Sequence, residues 1–316
     1  MEPFVSICIP TYNLASNLKI LLNSIAEQNF KDFNVIISDD SPGDEIQTIA
    51  NSEEWNFPIS YYKNQPAKGS PGNWNNAISK ANGKWIKLVH HDDWFDNPNT
   101  LQHFVNATFE NPDGKFFYCK TLIFDASTNL KFNYNPPKKR LDQLMSHPAI
   151  LFHTNVIGGP STTLIHRDIA NEFRYNIDLI WLVDIEYYIR IMQNHKIYLV
   201  NESLIITTSG SLHQLTNSLI NDKYINLREY LYCYNLFKKL LNKANLAIFI
   251  ERILFVLQQF EVKSTIEISD AGYKGIIPLF VKLYCHLASI NPKLAQKVLG
   301  KWIQTQLIKH DSYRTS

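Results

Sequence analysis

Short apolar runs alternate with segments of helical apolar spacing through the first part of this chain, and no other feature limits the fold as strongly. Phe4 to Ile9 is followed by Leu18-Leu21-Leu22-Ile25, Phe33 to Ile37 by Ile46 to Ile49, and Ile59 to Tyr62 by Trp74-Ala77-Ile78; Trp85 to Val89 closes the series. Strand and helix periods in turn predict right-handed βαβ units on a parallel sheet. Ser70 as N-cap, Pro71 at the first helical position and Gly83 after Ala81-Asn82 punctuate the third helix.

Beyond Asp93 the pattern predicts a helix from Asn99 to Glu110 and a strand from Phe116 to Ile123. The polar, proline-bearing stretch from Asp125 to Arg140 reads as a surface loop. A strand at Thr162 to Ile165, a helix through Ile185-Tyr188-Ile189-Met192 and a strand at Ile197 to Val200 complete one mixed sheet. From Asn217 onward apolar residues recur only at helical spacing, as in Leu246-Phe249-Ile250-Ile253-Leu257-Phe260. The expected fold class is α/β, a mixed and mostly parallel sheet with helices on both faces over residues 1–216. A small all-helical C-terminal domain follows over residues 217–316, with the break near Thr216.

Of 316 residues, 45% are hydrophobic and 19% charged, which excludes disorder; a net charge of only +2 argues against a dedicated nucleic-acid binder. That balance is uneven. From Asn217 to the end there are 14 basic and 7 acidic residues, against 17 and 22 before it, so the two parts are expected to face different partners. Cys8, Cys119, Cys233 and Cys285 are scattered without metal spacing and read as reduced core residues of a cytoplasmic protein. Met1-Glu2-Pro3 does not open a signal peptide, and no apolar run is long enough to span a membrane.

Three polar clusters follow predicted strands: Pro10-Thr11-Tyr12-Asn13, Asp39-Asp40-Ser41 and His90-His91-Asp92-Asp93. In an open parallel sheet these carboxyl ends share one edge, where ligands bind. Taken singly, each cluster also reads as a set of turn formers. Adjacent Asp92 and Asp93 repel each other unless solvated or matched by a cation, and carboxylate oxygens suit Mg²⁺ or Mn²⁺ holding a diphosphate. A solvated turn before Asn97-Pro98 is the plain alternative. Neither G-x-G-x-x-G nor G-x-x-x-x-G-K-[ST] is present, so diphosphate charge must be neutralised otherwise.

Val5-Ser6-Ile7-Cys8-Ile9-Pro10-Thr11-Tyr12-Asn13, Ile37-Ser38-Asp39-Asp40-Ser41, Asn73-Trp74-Asn75-Asn76-Ala77 and Lys87-Leu88-Val89-His90-His91-Asp92-Asp93 together resemble the family 2 glycosyltransferases. The resemblance covers residues 3 to 216. It implies the nucleotide-diphospho-sugar transferase (GT-A) fold and an inverting enzyme of the bacterial surface-polysaccharide type. By position, Pro10, Thr11 and Tyr12 line the nucleotide, Asp40 hydrogen-bonds the base with Asp39 beside it, and Asn73 and Asn75 border the ribose or sugar. His91-Asp92-Asp93 occupies the place of the family's Asp-x-Asp, which makes Asp93 the metal ligand and puts His91 where the family has its first acid.

In Trp181-Leu182-Val183-Asp184-Ile185-Glu186-Tyr187, Asp184 matches the family's general base, with Glu186 as fallback; Val183 replaces the Glu that often precedes the base. Gly158-Gly159-Pro160-Ser161 resembles the segment beneath donor sugar and acceptor. His213, in Ser211-Leu212-His213-Gln214-Leu215-Thr216, resembles a loop histidine that contacts metal or diphosphate. The implied partners are a UDP-, GDP- or dTDP-sugar, Mn²⁺ or Mg²⁺, and a glycan acceptor, lipid-linked or on the cell surface. A nucleotidyltransferase would carry a glycine-rich basic loop where this chain has Thr11-Tyr12-Asn13-Leu14; a scaffold would not need Asp40, Asp93 and Asp184 together. For the C-terminal domain, Lys238-Lys239 and exposed-looking Tyr230, Tyr232 and Tyr234 suit peripheral docking on the inner face of the membrane, while packing or oligomerisation suits them equally.

Overall fold

The structure, a computed structural model, describes residues 2–52, 54–209 and 218–308. These fall into two units, one of residues 2–136 and 157–209, the other of residues 137–156 and 218–308.

The first unit is built on β1 (Val5–Thr11), β2 (Phe33–Asp39), β3 (Ile59–Lys63), β4 (Trp85–Leu88), β5 (Trp94–Phe95), β6 (Phe116–Asp125), β7 (Leu130–Tyr134), β8 (Thr163–His166) and β9 (Tyr198–Ser209). The sheet runs β3-β2-β1-β4-β8-β6-β9-β5, with β7 beside β6. Strands β1 to β4 are mutually parallel, and β8 lies antiparallel between β4 and β6. Helices α1 (Ala15–Ala26), α2 (Glu45–Ala50), α3 (Gly72–Ser79) and α4 (Thr100–Glu110) connect the early strands. Val5, Ile7 and Ile9 pack with Leu18, Leu22 and Ile25 of α1 and with Phe104 of α4. The alternate residues face the other side, where the Cys8 Sγ lies 3.6 Å from the Ala77 carbonyl of α3. Covered on both faces, β1 reads as a continuous apolar run. Thr11 bonds toward β2 and Cys8 toward β4, so Pro10 points to the β4 side, beyond the last β4 partner, where its missing N–H breaks no ladder bond.

Two of the punctuation marks act differently from their sequence reading. Helix α3 begins at Gly72 with Pro71 as its N-cap and no side-chain cap, so Ser70 does not cap it. Gly83 lies against β1 rather than closing α3: its N–H donates to Ser6 Oγ at 2.8 Å, and a Cβ there would stand 2.5 Å from the Ser6 nitrogen. Gly83→Ala is therefore expected to destabilise the fold by about 1–3 kcal/mol, read as a lower urea midpoint. The polar stretch after Asp125 is also structured. Leu130–Tyr134 pairs with Thr121–Asp125, turning through Asn129 at φ 60° with the Asp125 carboxylate accepting from Ser127 N–H at 2.8 Å. Its polar look reflects an exposed hairpin.

The second unit contains α5 (Lys138–Leu144) and a 3-10 turn at Pro148–Phe152; α6 (Arg167–Glu172) and α7 (Val183–Met192) return to the first. Then follow α8 (Lys223–Phe237), α9 (Lys243–Gln259), α10 (Thr265–Asp270), α11 (Leu279–Ile290) and α12 (Pro292–Ile308). Asp222 and Asn242 cap α8 and α9, and Ser264 with Glu267 forms a capping box on α10. Residues 137–156 group with these helices because Phe152 stacks on Phe249, ring centroids 3.6 Å apart, and Ala149 N–H donates to Asn245 Oδ1 at 3.1 Å. A single break near Thr216 does not anticipate that excursion, and Thr216 itself lies outside the described residues. Tyr230 is buried, its hydroxyl taking a 3.0 Å bond from Arg252, and Tyr232 and Tyr234 are only partly exposed, so the three tyrosines do not form the exposed set the sequence implied. All four cysteines are buried free thiols. Among the described residues no helix is long and apolar enough to cross a membrane.

Candidate active site

The carboxyl ends of β1, β2 and β4 bring the three polar clusters to one sheet edge. After β1 the chain turns through Asn13 and Leu14, both left-handed at φ 54° and 51°, and Asn13 N–H donates to Ser41 Oγ at 2.7 Å. That turn leaves the Tyr12 ring 58% exposed beside buried Thr11, a free aromatic face at the edge.

The two acids after β2 differ in environment. Asp39 is fully buried and accepts from Thr11 Oγ1 at 3.1 Å, Ser41 N–H at 2.8 Å, Tyr61 Oη at 2.7 Å and Lys63 Nζ at 3.3 Å. Burial raises its pKa, but the bonds from Ser41, Tyr61 and Lys63 outweigh burial and hold it below the ordinary carboxylate range. Asp39 is thus a structural anion that ties β1, β2 and β3 together. Asp40, also buried, accepts from Asn64 Nδ2 at 2.8 Å, Lys68 N–H at 3.0 Å and Gly69 N–H at 2.8 Å, which fixes its carboxylate between β2 and the loop before α3.

The two asparagines of α3 have protein partners. Asn73 Nδ2 donates to the Thr11 carbonyl at 3.0 Å, while Asn75 makes a two-way amide pair with the Tyr175 backbone at 2.8 and 2.9 Å. Their amides brace the walls of the site, and neither is directed by sequence spacing to ribose alone.

After β4 a tight turn, closed by Asp93 N–H on the His90 carbonyl at 3.0 Å, folds His90 back over the two acids. His90, Asp92 and Asp93 each offer a ligand atom, all within 4.8 Å of one another. His91, which the resemblance puts where the family has its first acid, turns its ring to the Pro10 carbonyl and is not one of these three.

The donor set fits a divalent cation. His90 Nε2 is buried without a hydrogen-bond partner. Burial pushes its imidazole down to about 4, with Asp92 pulling the other way, so the ring is neutral and able to ligate. Burial, then the charge of Asp92, raises Asp93 well above the carboxylate range, although bonds from Ser161 and the Thr208 backbone and the charge of Lys87 oppose this. A cation between these groups would relieve both strains. His213 lies outside the described residues.

Beneath this turn Ser161 is buried and bridges two parts of the motif, taking the His90 N–H at 2.9 Å and donating to Asp93. Gly158 adopts φ 93°, and Gly159 leads into the 3-10 turn Pro160–Thr162, in which Pro160 and Ser161 are buried. Ser161 thus supports the acidic motif from below. Lys87, fully buried, donates to the carbonyls of Ser161 and Thr163 and lies 4.8 Å from the Phe104 ring centroid. Burial pushes it down to about 8, with Cys119 and Asp93 acting in the opposite direction. Sequence reasoning passed over Lys87, although a lysine inside Trp85-Ile86-Lys87-Leu88 was a visible anomaly.

Asp184 stands in the first turn of α7, and its Oδ1 accepts from Ile185 N–H at 2.8 Å. An aromatic chain connects α7 to the acidic motif: His90 against Trp74 at 4.6 Å between centroids, Trp74 against Tyr175 at 5.2 Å, and Tyr175 stacked on Tyr187 at 4.1 Å. Tyr188 Oη adds a 3.2 Å bond to the Gly158 carbonyl. Glu186, the fallback base, is buried in a bidentate pair with Arg190 at 2.8 and 3.0 Å, so it is committed to structure. Arg190→Ala would strand that carboxylate and is expected to cost roughly 3 kcal/mol of stability in chemical denaturation.

A family model described as Glycosyl transferase family 2 matches residues 6–173, more than half of the chain. An uncharacterised glycosyltransferase of Rickettsia prowazekii is 28% identical over 252 residues, which are 78% of this chain and 74% of the relative. A Campylobacter jejuni protein named GalNAc(5)-diNAcBac-PP-undecaprenol beta-1,3-glucosyltransferase is 34% identical over 93 residues, 29% of this chain and 30% of its own. Another relative, an uncharacterised Mycobacterium tuberculosis protein, is matched over 66% of its length, so the chain spans two thirds or less of some curated relatives. Among solved structures, S. aureus TarS 1-349 in complex with UDP-GlcNAc shares the fold at a TM-score of 0.65 and 16% identity, over 97% of this chain and 93% of that one. The mannosyltransferase PcManGT from Pyrobaculum calidifontis, in complex with GDP-Man and Mn²⁺, gives 0.54 and 15%, over 98% and 86%. The motifs of β1, β2 and β4, the sheet that gathers them and the family match agree: the chain belongs to glycosyltransferase family 2.

Proposed function

We propose that this glycosyltransferase moves a sugar, with inversion, from a nucleotide-diphosphate donor to a hydroxyl of a lipid-linked glycan in surface-polysaccharide assembly. The observation that carries the reading is the convergence of Tyr12, Asp40 and the His90-Asp92-Asp93 group on one sheet edge, with α7, the helix that bears Asp184, joined to it through Trp74, Tyr175 and Tyr187. Thr11, Tyr12 and Asp40 bind the nucleotide, with Pro10, Asp39, Asn73 and Asn75 shaping that pocket. Asp92, Asp93 and His90 would hold Mn²⁺ or Mg²⁺, with His213 as a further contact. When bound, the cation supplies charge stabilisation for the departing diphosphate.

Asp184 accepts the acceptor's proton as the hydroxyl oxygen attacks the anomeric carbon from the face opposite the diphosphate. The helix N-terminus favours the carboxylate form that this step needs. The C. jejuni relative's name specifies an undecaprenol-diphosphate-linked glycan, which supports a lipid-linked acceptor here and a place at the inner face of the cell membrane. Nucleoside-diphosphate release, followed in a coupled assay, is expected to rise when a polyprenyl-diphosphate oligosaccharide joins donor and Mn²⁺, with product of inverted anomeric configuration by NMR. Retained configuration would remove the in-line role of Asp184.

A further inference from the structure

Helix α11 carries its apolar residues on both sides. Val281, Tyr284, Cys285 and Ala288 are buried, yet Leu279, Leu283 and Ile290 emerge on the opposite side, 82%, 44% and 68% exposed. At about 100° per residue these three lie within about 40° of one another, where a surface helix ordinarily places polar groups.

Helix α12 repeats the theme in rows. Ala295, Leu299 and Ile303 are buried; one residue earlier Leu294, Val298 and Trp302 are exposed; one residue before those come exposed Lys293, Lys297 and Lys301. Residues 271–308 contain five lysines and no Asp or Glu, so five of the seven surplus positive charges of the C-terminal part fall here.

We propose that the α11–α12 surface docks on an anionic phospholipid bilayer, its apolar rows entering the headgroup boundary and its lysines meeting the lipid phosphates. Apolar residues flanked by lysines without any acid match an interfacial surface, and no described helix is long and apolar enough to span. The same charge disfavours a second copy, because two such faces would meet with lysines and no acid from either segment to offset them. The inference deepens the proposed lipid-linked acceptor and rests on that reading for its purpose. Docking itself needs no sugar donor, so its failure is distinct from a failure of transfer.

The test is flotation of the full chain with phosphatidylglycerol–phosphatidylcholine vesicles at low salt, with phosphatidylcholine vesicles as control. The chain is expected to float only with the anionic vesicles. The K293Q/K297Q/K301Q variant is expected to lose about 100-fold in partitioning, and L279Q/L283Q/I290Q to lose flotation, with the mass by light scattering unchanged. All six side chains are exposed, and a retained melting transition verifies folding. Absent flotation of the wild-type chain, undiminished flotation of both variants, or a wild-type dimer that L279Q/L283Q/I290Q converts to monomer would overturn the proposal, the last by assigning the face to a second copy.

Discussion

Replacing Asp184 by Asn is expected to lower sugar transfer by about 10²- to 10⁴-fold, the usual contribution of a positioned base, while donor binding stays as it was. The amide keeps the shape and can still accept from Ile185 N–H, so the first turn of α7 is preserved. What it cannot do is take a proton at neutral pH. Glu186 offers no rescue, since both its oxygens are held by Arg190. The signature is therefore a fall in kcat with little change in the donor KM and an unchanged melting temperature. Near-normal turnover would remove Asp184 from the chemistry.

The second large effect is expected at Asp93. Asp93→Ala removes one of two adjacent carboxylates and should weaken Mn²⁺-dependent nucleotide binding by about 100-fold or more in calorimetric titration. Stability should move the other way. Burial and Asp92 both oppose the charge on Asp93 in the metal-free protein, so the variant without metal should be at least as stable as the wild type. Added Mn²⁺ should then raise the melting temperature of the wild type and not of the variant. A variant that is equally stabilised by Mn²⁺ would place the cation elsewhere.

The parts of this molecule written in local pattern were legible. Each of the first two polar clusters follows a strand buried along nearly its whole length, and the third follows a shorter one, so periodicity alone brought residues eighty apart to one edge. The pieces decided by distant partners were not. His90 joins the acids because a turn folds it back and Ser161, seventy-one residues on, holds its N–H. Asn75 faces Tyr175 through bonds that no spacing encodes, and residues 137–156 side with the helical unit through Phe152 on Phe249. The exposed face of α11 was hidden for a different reason. Apolar residues all round a helix read as burial, and only the packing tells which of them remain outside.

The central claim is that this sheet edge binds a nucleotide-diphosphate sugar with the help of a cation. Thermal stabilisation by a panel of UDP-, GDP- and dTDP-sugars, each with and without Mn²⁺, tests it most directly. The account predicts that at least one donor raises the melting temperature of the wild type only when Mn²⁺ is present, and that Asp93→Ala abolishes the shift. A panel in which no donor stabilises the protein with Mn²⁺, or in which stabilisation persists unchanged in Asp93→Ala, would contradict it.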